Sequence, residues 1–320
     1  MLENVIGHTP MVKIEYRYQG KINVIYAKLE SFNLTGSIKD RVAYFMIKEG
    51  KKQGLLKENQ AIVEATSGNT GISLAALGAL MHHKVHIFMP IWASEERKKI
   101  MQSYGATLSL VTKEEGGFKA CLEKASKFAQ ENSAFYPDQF SSEANFLAHY
   151  KTTGPEIFSQ VDQNLGGFVC GVGTGGTLMG IGKYLKEKDS TIKICAIEPA
   201  NMPLLSKKEI LGPHQIEGIG DDFIPELIDE KMIDEIFLIR DEEALKMSKR
   251  LAKELGLGVG ISSGANFLGS VLLGVKTNLP TATVFADDQK KYLTTSLVQE
   301  VKERNLMADQ IEFLHIEFIK

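Results

Sequence analysis

The chain has 320 residues, which exceeds the usual size of one compact core and predicts one large or two smaller domains. Its net charge of −3 gives no broad basic field for nucleic acid, and glycine or charge interrupts the longest apolar stretches before membrane-spanning length. The N-terminus lacks a signal-peptide pattern and the three cysteines lack metal-ligand spacing, so we expect a cytoplasmic protein with no metal site and no nucleic-acid or membrane partner.

In chain order, the first predicted elements are a strand at 23–29 and a helix that begins at Arg41. A first alternating series follows, with strands at 61–64, 85–89 and 107–111 and helices at 72–83, 94–104 and 118–131. A second series has strands at 167–170, 192–197 and 281–285 and helices at 177–186, 241–255 (capped by Asp241) and 265–275. Such alternation implies parallel strands with crossover helices, hence an α/β fold with two doubly wound domains.

Between the two series lies an irregular, aromatic segment at 134–149, which we interpret as the crossing between the domains. We predict a smaller α/β domain at 36–144 and a larger one formed by 1–35 and 145–320. Ligands in such folds bind where strand carboxyl ends and helix N-termini converge. The cleft between the two domains is therefore the expected active site.

One lysine, Lys39, lies in the polar junction GSIKDR at 36–41, between a strand and a helix. Alone, such a lysine is most often a solvated surface residue. Two turns, TSGNTG at 66–71 and GVGTGGT at 171–177, also join a strand to a helix, and this geometry binds anions. A lysine with two anion cradles indicates a Schiff base to a phosphorylated aldehyde cofactor, with an amino-acid carboxylate beside it.

The turn at 171–177 also satisfies the dinucleotide pattern G-x-G-x-x-G, and Glu198 ends the next strand where a ribose-binding acid would belong. A nicotinamide or flavin oxidoreductase is therefore an alternative, and a tight turn without ligand is another. Thr174 and Thr177 add hydroxyl donors that suit a compact phosphate monoester better than a pyrophosphate.

The turn at 66–71 offers more hydrogen-bonding groups than helix capping needs. Ser67 and Thr70 are placed to bind a carboxylate, and Asn69 to donate to a phenolic oxygen; an oxidoreductase has no obvious use for this second cradle. A third turn, GISSG at 260–264, is explained equally well by capping or by function. A hydroxyl there, facing a pyridine nitrogen, would favour loss of a β-leaving group over transamination.

These motifs resemble the cysteine synthase/cystathionine β-synthase family, the fold type II pyridoxal-phosphate enzymes. The resemblance covers nearly the whole chain, and the motifs occur in the same order as in the family. They are IGHTP at 6–10, KLE at 28–30, GSIKDR at 36–41, TSGNTG at 66–71, QF at 139–140, TTGPE at 152–156, GVGTGGT at 171–177, GPH at 212–214, GIG at 218–220 and YL at 292–293.

The resemblance implies pyridoxal 5'-phosphate as cofactor, a homodimer, and a mobile smaller domain that binds substrate while the larger one binds the cofactor. It implies that Lys39 forms the Schiff base, Asn69 contacts the phenolic oxygen and Ser262 the pyridine nitrogen. The implied phosphate cup is Gly173, Thr174, Gly175, Gly176 and Thr177. The implied substrate carboxylate site is Thr66, Ser67, Asn69, Thr70 and Gln139.

The sequence departs from cysteine synthases at Asp221 and Asp222, where acetylserine-using enzymes typically have Ala–Gly. Cystathionine β-synthases have an acid at the position of Asp222, and the stretch ADDQ at 286–289 is also nearer to theirs. We predict that Asp222 is catalytic, assisting a poor leaving group or activating water. The alternative is that both acids are solvated loop residues.

We predict β-replacement or β-elimination on a three-carbon amino acid in sulfur metabolism, with Lys39 as the base that removes the α-proton. The favoured version uses L-cysteine or L-serine with acid assistance, releasing hydrogen sulfide from cysteine and giving serine or a thioether. The alternative is an O-acetylserine sulfhydrylase that makes cysteine from O-acetylserine and sulfide. An NAD-dependent oxidoreductase and a non-catalytic family member are remote alternatives.

Overall fold

The computed structural model describes residues 2–320, which form ten strands and ten α-helices. The strands are β1 (Met11–Tyr18), β2 (Lys21–Leu29), β3 (Ile62–Ala65), β4 (Val85–Pro90), β5 (Thr107–Val111), β6 (Gly167–Gly171), β7 (Lys193–Pro199), β8 (Glu235–Ile239), β9 (Thr281–Phe285) and β10 (Glu312–Ile319). The helices are α1 (Lys39–Lys52), α2 (Asn69–Leu80), α3 (Glu95–Ser103), α4 (Gly117–Asn132), α5 (Glu143–Ala148), α6 (Gly154–Gln160), α7 (Gly176–Lys188), α8 (Leu204–Lys207), α9 (Asp241–Leu255) and α10 (Ile261–Thr277).

The strands form two separate sheets, and most of their pairings are parallel. The larger sheet has the order β10-β1-β2-β9-β6-β7-β8, and the smaller one has the order β3-β4-β5. Only β1 breaks the parallel arrangement, because it runs antiparallel to both β2 and β10. The parallel-dominated sheets confirm the predicted α/β class.

The central strands are buried on both faces, as parallel strands covered by helices must be. Every residue of β6 and β9 is buried. Along β6, Val169 packs into a core with Phe267 of α10, whereas Phe168 packs on the opposite face with Leu178 of α7. Because successive side chains of a strand alternate between faces, one short apolar strand supplies both layers of the core.

Most elements predicted from apolar runs are present, with ends shifted by up to four residues. The prediction that the segment at 134–149 is irregular is wrong from Glu143 onward. There the chain forms α5 and continues directly into a π-helical turn, His149–Thr153. Asp241 is not a cap either, because it is the first residue of α9, and its carboxylate accepts the backbone N–H of Gln215 at 2.9 Å. The prediction also missed β1, β8 and β10.

The three strands of the smaller sheet lie within 36–144, and the other seven lie outside it. The exact domain boundaries stay a prediction. Every helix described for residues 2–320 is too short or too polar to cross a bilayer.

Candidate active site

Four helices begin at the wall of one cavity of about 430 Å³. Their first residues are Lys39 in α1, Asn69 in α2, Gly176 in α7 and Ile261 in α10. Helix N-termini carry partial positive charge and unpaired N–H groups, so four of them together favour a ligand with several negative charges. The lining loops follow β3 and β6, which places the cavity between the two sheets.

Lys39 lines this cavity, and a backbone hydrogen bond of the residue before it holds the start of α1 in place. The preceding residue, Ile38, donates its N–H to the carbonyl of Ala286 at 2.9 Å, which joins the start of α1 to the end of β9. Burial lowers the pKa of the Lys39 amine, although nearby acids oppose this. A lowered pKa increases the neutral fraction of the amine, the form that acts as nucleophile or base. Cys170 lines the same cavity, but burial raises its pKa to about 12, so it stays a thiol.

The turn after β6 has the shape of an anion cup and requires glycine at two positions. Gly175 has a φ of +87°, and a Cβ on Gly173 would lie 2.6 Å from the carbonyl oxygen of Gly218. Thr174 and Thr177 also line the cavity and are nearly buried. The structure thus brings together the predicted cup residues at the N-terminus of α7.

Two residues behind the cup orient its hydroxyls. Asn145 donates to Thr174 Oγ1 at 2.8 Å, and His149 Nε2 lies 3.2 Å from Thr177 Oγ1. His149 Nδ1 lies 3.0 Å from Thr153 Oγ1, and burial with two nearby cations holds the pKa of this imidazole well below its usual range. Sequence reasoning missed both residues because it predicted no helix there. Their spacing of four residues was the available signal, since such a pair shares one helix face.

The loop between β3 and α2 forms the other end of the cavity. Thr66 accepts the backbone N–H of Gly68 at 3.1 Å, and Thr70 donates to Gln139 Oε1 at 2.6 Å. The Gln139 amide donates in turn to the end of β3 at 2.9 Å. Ser67 remains exposed at the tip of the loop. All the residues predicted to bind a substrate carboxylate therefore line one wall, and their roles stay a prediction.

Asn69 is held by two residues that sequence reasoning did not assign to the site. Its Nδ2 donates to Asp287 Oδ2 at 2.7 Å, and its Oδ1 accepts from Lys291 Nζ at 2.9 Å. Tyr292 also donates to Asp287, at 2.6 Å. In the sequence, the stretch at 286–289 stood out only as a departure from cysteine synthases, and no spacing pattern pointed to Lys291.

Of the two neighbouring acids, the structure places Asp221 and not Asp222 in the cavity wall. Asp222 is exposed, whereas burial raises the pKa of Asp221 to about 6, with a further increase from the charge of Asp222 and an opposing effect of Lys39. Phe223 anchors the loop by packing on Phe140 with ring centroids 4.9 Å apart. Asp221 therefore lines the cavity and its exposed neighbour does not, because consecutive side chains of an irregular segment project in different directions; the catalytic role of Asp222 stays a prediction.

Arg97 of α3 and Glu217 both line the cavity and form an ion pair with each other. The Arg97 guanidinium also lies over the ring of Tyr292, with its Cζ 4.7 Å from the centroid. His214 Nε2 lies 2.8 Å from the carbonyl oxygen of Gly220, which supports the turn before the acidic pair. These contacts connect α3, beside the smaller sheet, with loops that follow strands of the larger one.

Beneath Lys39, a buried ion network fixes the first turn of α1. The Arg41 guanidinium donates to Glu30 at 2.7 and 2.8 Å and to Glu156 at 2.6 and 2.7 Å, and Lys28 pairs with Glu156 at 2.7 Å. Despite burial, these cations lower the pKa of Glu156 to about 2. The network explains physically why the motifs at 28–30, 36–41 and 152–156 occur together.

Glu198, the acid that suggested a dinucleotide site, has a structural role. Its carboxylate accepts the backbone N–H of Ser206 at 3.0 Å and that of Leu205, at the start of α8. It is nearly buried and lies outside the cavity wall. The carboxylate is therefore engaged by protein N–H groups, which removes one of the two observations that favoured an oxidoreductase, the other being the glycine pattern at 171–177.

The residues present fit pyridoxal 5'-phosphate. The glycine cup with its threonine hydroxyls suits a phosphate monoester. Lys39 supplies an amine of lowered pKa, Asn69 an amide donor and Ser262 a nearly buried hydroxyl, all on the same cavity wall. Among those, Lys39 would hold the cofactor covalently, and the hydroxyl of Ser262 would accept or donate a hydrogen bond without forcing a positive charge on a ring nitrogen.

The family comparison agrees with this fit. Residues 2–286 match the model of the pyridoxal-phosphate dependent enzyme family, and the chain belongs to that family.

Individual relatives indicate which members of this family the chain is similar to. The chain is 39% identical over 299 residues to a cysteine synthase of Staphylococcus aureus (strain Mu50), with 92% of this chain and 96% of that protein covered. It is 46% identical, with a TM-score of 0.96, to a hydrogen sulfide-producing enzyme of Fusobacterium nucleatum, with 99% and 97% covered. An aspartate-to-asparagine mutant of the same enzyme, with an α-aminoacrylate intermediate, matches with a TM-score of 0.95, 45% identity and 99% and 98% covered.

These relatives confirm the cysteine synthase/cystathionine β-synthase resemblance and the fold type II architecture. The protein is a pyridoxal-phosphate-dependent, β-replacing enzyme of sulfur metabolism that acts on an amino acid.

Proposed function

We propose that the enzyme uses L-cysteine or L-serine, releases hydrogen sulfide from cysteine and gives serine or a thioether, with Asp221 as the acid at the leaving group. The observation that carries the proposal is the position of Asp221 on the cavity wall, with its pKa raised to about 6. A carboxyl group with that pKa is partly protonated near neutral pH, so it has a proton to give. An acetate leaving group needs no such proton, since it departs as a stable carboxylate.

The side chains on the cavity wall have different proposed roles in the reaction. When bound, pyridoxal phosphate supplies an electron sink for charge that develops at the substrate α-carbon. Lys39 accepts the α-proton and later returns it to the same carbon. The loop at 66–71 and Gln139 bind the substrate carboxylate and orient the Cα–H bond toward Lys39. These roles are our proposals for the residues on that wall.

Asp221 completes the proton balance at the β-carbon. As the C–S bond of cysteine breaks, the Asp221 carboxyl protonates the departing sulfur, which leaves as H₂S. The Asp221 carboxylate then accepts a proton from water while the water oxygen bonds to the β-carbon, giving serine. A thiol in place of water gives a thioether by the same transfers. The acid is regenerated, and the sum is cysteine plus water to serine plus H₂S.

The direct test is to incubate the cofactor-loaded protein with cysteine alone and to quantify sulfide together with serine, lanthionine and pyruvate. We expect sulfide to be matched by serine plus lanthionine, which form by replacement. Pyruvate as the main product would indicate elimination instead. Slow sulfide release, combined with rapid cysteine formation from O-acetylserine and sulfide, would contradict the proposal.

The second candidate is an O-acetylserine sulfhydrylase, favoured by the identity to the S. aureus cysteine synthase. The two candidates differ in whether an acid is required at the leaving group. They are separated by comparing turnover of cysteine, serine and O-acetylserine in the wild type and in Asp221 variants.

We also propose that the enzyme is a cytoplasmic homodimer, as predicted from the sequence and its family resemblance. Light scattering coupled to size-exclusion chromatography tests the stoichiometry: a mass of about twice 35.4 kDa supports it, and a mass equal to one chain contradicts it.

A further inference from the structure

Lys291 is a nearly buried lysine that lies just outside the cavity wall. It belongs to a 3-10 turn, Gln289–Tyr292, that follows β9, and only 4% of it is exposed. Its amine donates to the backbone carbonyl of Gly36 at 3.1 Å and to Asn69 Oδ1 at 2.9 Å. A buried ammonium is costly unless its protons are used in hydrogen bonds, and neither partner here is an acid. Lys291 therefore has a more specific task than surface charge.

The partners of Asn69 determine which end of its amide is oxygen. Asp287 Oδ2, an acceptor, faces Nδ2 at 2.7 Å, and the Lys291 ammonium, which can only donate, faces Oδ1 at 2.9 Å. Rotating the amide by 180° would bring oxygen against carboxylate and N–H against ammonium. One acceptor and one donor on opposite sides thus permit a single orientation.

This orientation leaves one amide hydrogen available in the cavity. An Asn amide has two N–H donors, of which Asp287 takes one. Asn69 lines the cavity and is half-buried, so its second N–H has access to a ligand there. Without Lys291, the carbonyl end would lose its donor, and Asp287 alone would hold the amide in this orientation.

Lys291 also reaches the segment that leads into Lys39. Gly36 has a φ of +80°, and its carbonyl accepts from Lys291 three residues before Lys39. The acids around the amine are Asp40, Asp287 and Asp288, and Arg97 is the nearby cation. The single amine therefore connects the start of α1, the loop before α2 and the end of β9.

We propose that Lys291 is a positioning residue that fixes the amide of Asn69, so that its second N–H serves the phenolic oxygen of the bound cofactor. This inference rests on the proposed contact between Asn69 and the cofactor. Lys291 itself touches neither cofactor nor substrate, and it acts through Asn69.

The test is a double-mutant cycle read out by cofactor binding rather than by turnover. Apo-protein is titrated with pyridoxal 5'-phosphate, and its visible absorption band is recorded for the wild type, Lys291→Met, Asn69→Ala and the double variant. Lys290→Met is the matched control, because Lys290 is adjacent, equally charged and 83% exposed. Circular dichroism and thermal unfolding establish that each variant is folded.

We expect Lys291→Met to weaken cofactor binding about tenfold, and to shift the band in the same direction as Asn69→Ala. In the Asn69→Ala background, the same change should weaken binding less than about twofold, since the group it positions is gone. Lys290→Met should behave as the wild type. Lys291→Arg, which keeps a donor, should recover most of the affinity.

The proposal is overturned if Lys291→Met weakens binding by the same factor with and without Asn69, or if it matches Lys290→Met. Should Lys291→Met fail to fold, Lys291→Ala, which also lacks a donor, replaces it in the cycle with the same expectations. A wild-type protein that forms no visible band at all refutes the proposed function as well. A normal band with additive effects refutes only the role of Lys291.

Discussion

Two regions around Lys39 are built on opposite principles: the buried ion network of Arg41, here called the floor, and the loop that carries Asp221 and Asp222, here called the mouth. At the floor, Arg41 is paired with Glu30 and Glu156, and all of these side chains are buried or nearly so. At the mouth, Asp221 is half-buried with a raised pKa, and its neighbour Asp222 is exposed. The floor pairs each of these buried charges, whereas within residues 2–320 no cation forms an ion pair with the Asp221 carboxyl at the mouth.

This difference indicates where stability and where chemistry are determined. Removing one member of a buried pair leaves an uncompensated charge, so the floor tolerates little change. A carboxyl at the mouth is available to exchange a proton, so a change there alters reactivity more than folding. We therefore expect floor variants to lose structure, and mouth variants to lose selectivity between leaving groups.

The largest effect is expected at Lys39, which lies between the two regions. It is two residues before Arg41 in α1, and it lines the cavity. Lys39→Ala removes the amine that holds the cofactor and accepts the α-proton. We expect loss of measurable turnover and of the visible band at about 410–420 nm that bound pyridoxal phosphate shows when joined to a lysine. A retained band would refute the assignment of Lys39.

The next effect concerns the floor. Arg41→Met removes the ion-pair partner of Glu30 and leaves Glu156 paired with Lys28 alone. We expect a loss of about 3–5 kcal/mol in the free energy of unfolding. The matched control is Arg17→Met, which breaks the exposed pair with Glu312 and should cost about 0–1 kcal/mol. Urea unfolding followed by circular dichroism measures both. Equal losses for the two variants would contradict the difference between floor and surface.

Sequence patterns indicated the cup better than the mouth, for physical reasons. The cup is contiguous in sequence, and its glycines are required by backbone geometry, as at Gly173 and Gly175. Side chains that reach the site from distant segments leave no such local pattern. Asn145 lies on the short helix α5 and His149 in the π-helical turn that follows, so only their spacing of four residues relates them, and Lys291 contacts Asn69 across 222 positions.

The acidic pair shows a different limit of sequence reasoning. Residue types alone predicted that an acid faces the substrate, but the directions of neighbouring side chains in an irregular loop depend on tertiary packing, such as that of Phe223 on Phe140. The strand predicted at 61–64 and the turn at 66–71 could be recognised from local sequence, whereas the hydrogen bond between Thr70 and Gln139 depends on the folded arrangement.

The mouth is tested by two matched substitutions, Asp221→Asn and Asp222→Asn. Loss of a general acid typically costs about 10²–10⁴-fold, so we expect Asp221→Asn to reduce kcat/KM for cysteine by at least about 100-fold. For O-acetylserine, whose leaving group needs no proton, we expect less than about threefold. Asp222→Asn, with the same change of charge outside the cavity wall, should affect both substrates by less than about twofold. Equal losses for both substrates in Asp221→Asn would contradict its role at the leaving group.

The smallest and most specific effect is a pH dependence at the mouth. Burial raises the pKa of Asp221 to about 6, so the carboxyl is protonated below that pH and ionised above it. If the protonated form assists the leaving sulfur, the ratio of kcat/KM for cysteine to that for O-acetylserine should be level at low pH and fall about tenfold per unit above the pKa. Taking this ratio cancels the titration of Lys39, which serves both substrates. In Asp221→Asn the ratio should be flat, and a slope that survives this substitution would place the titrating group elsewhere.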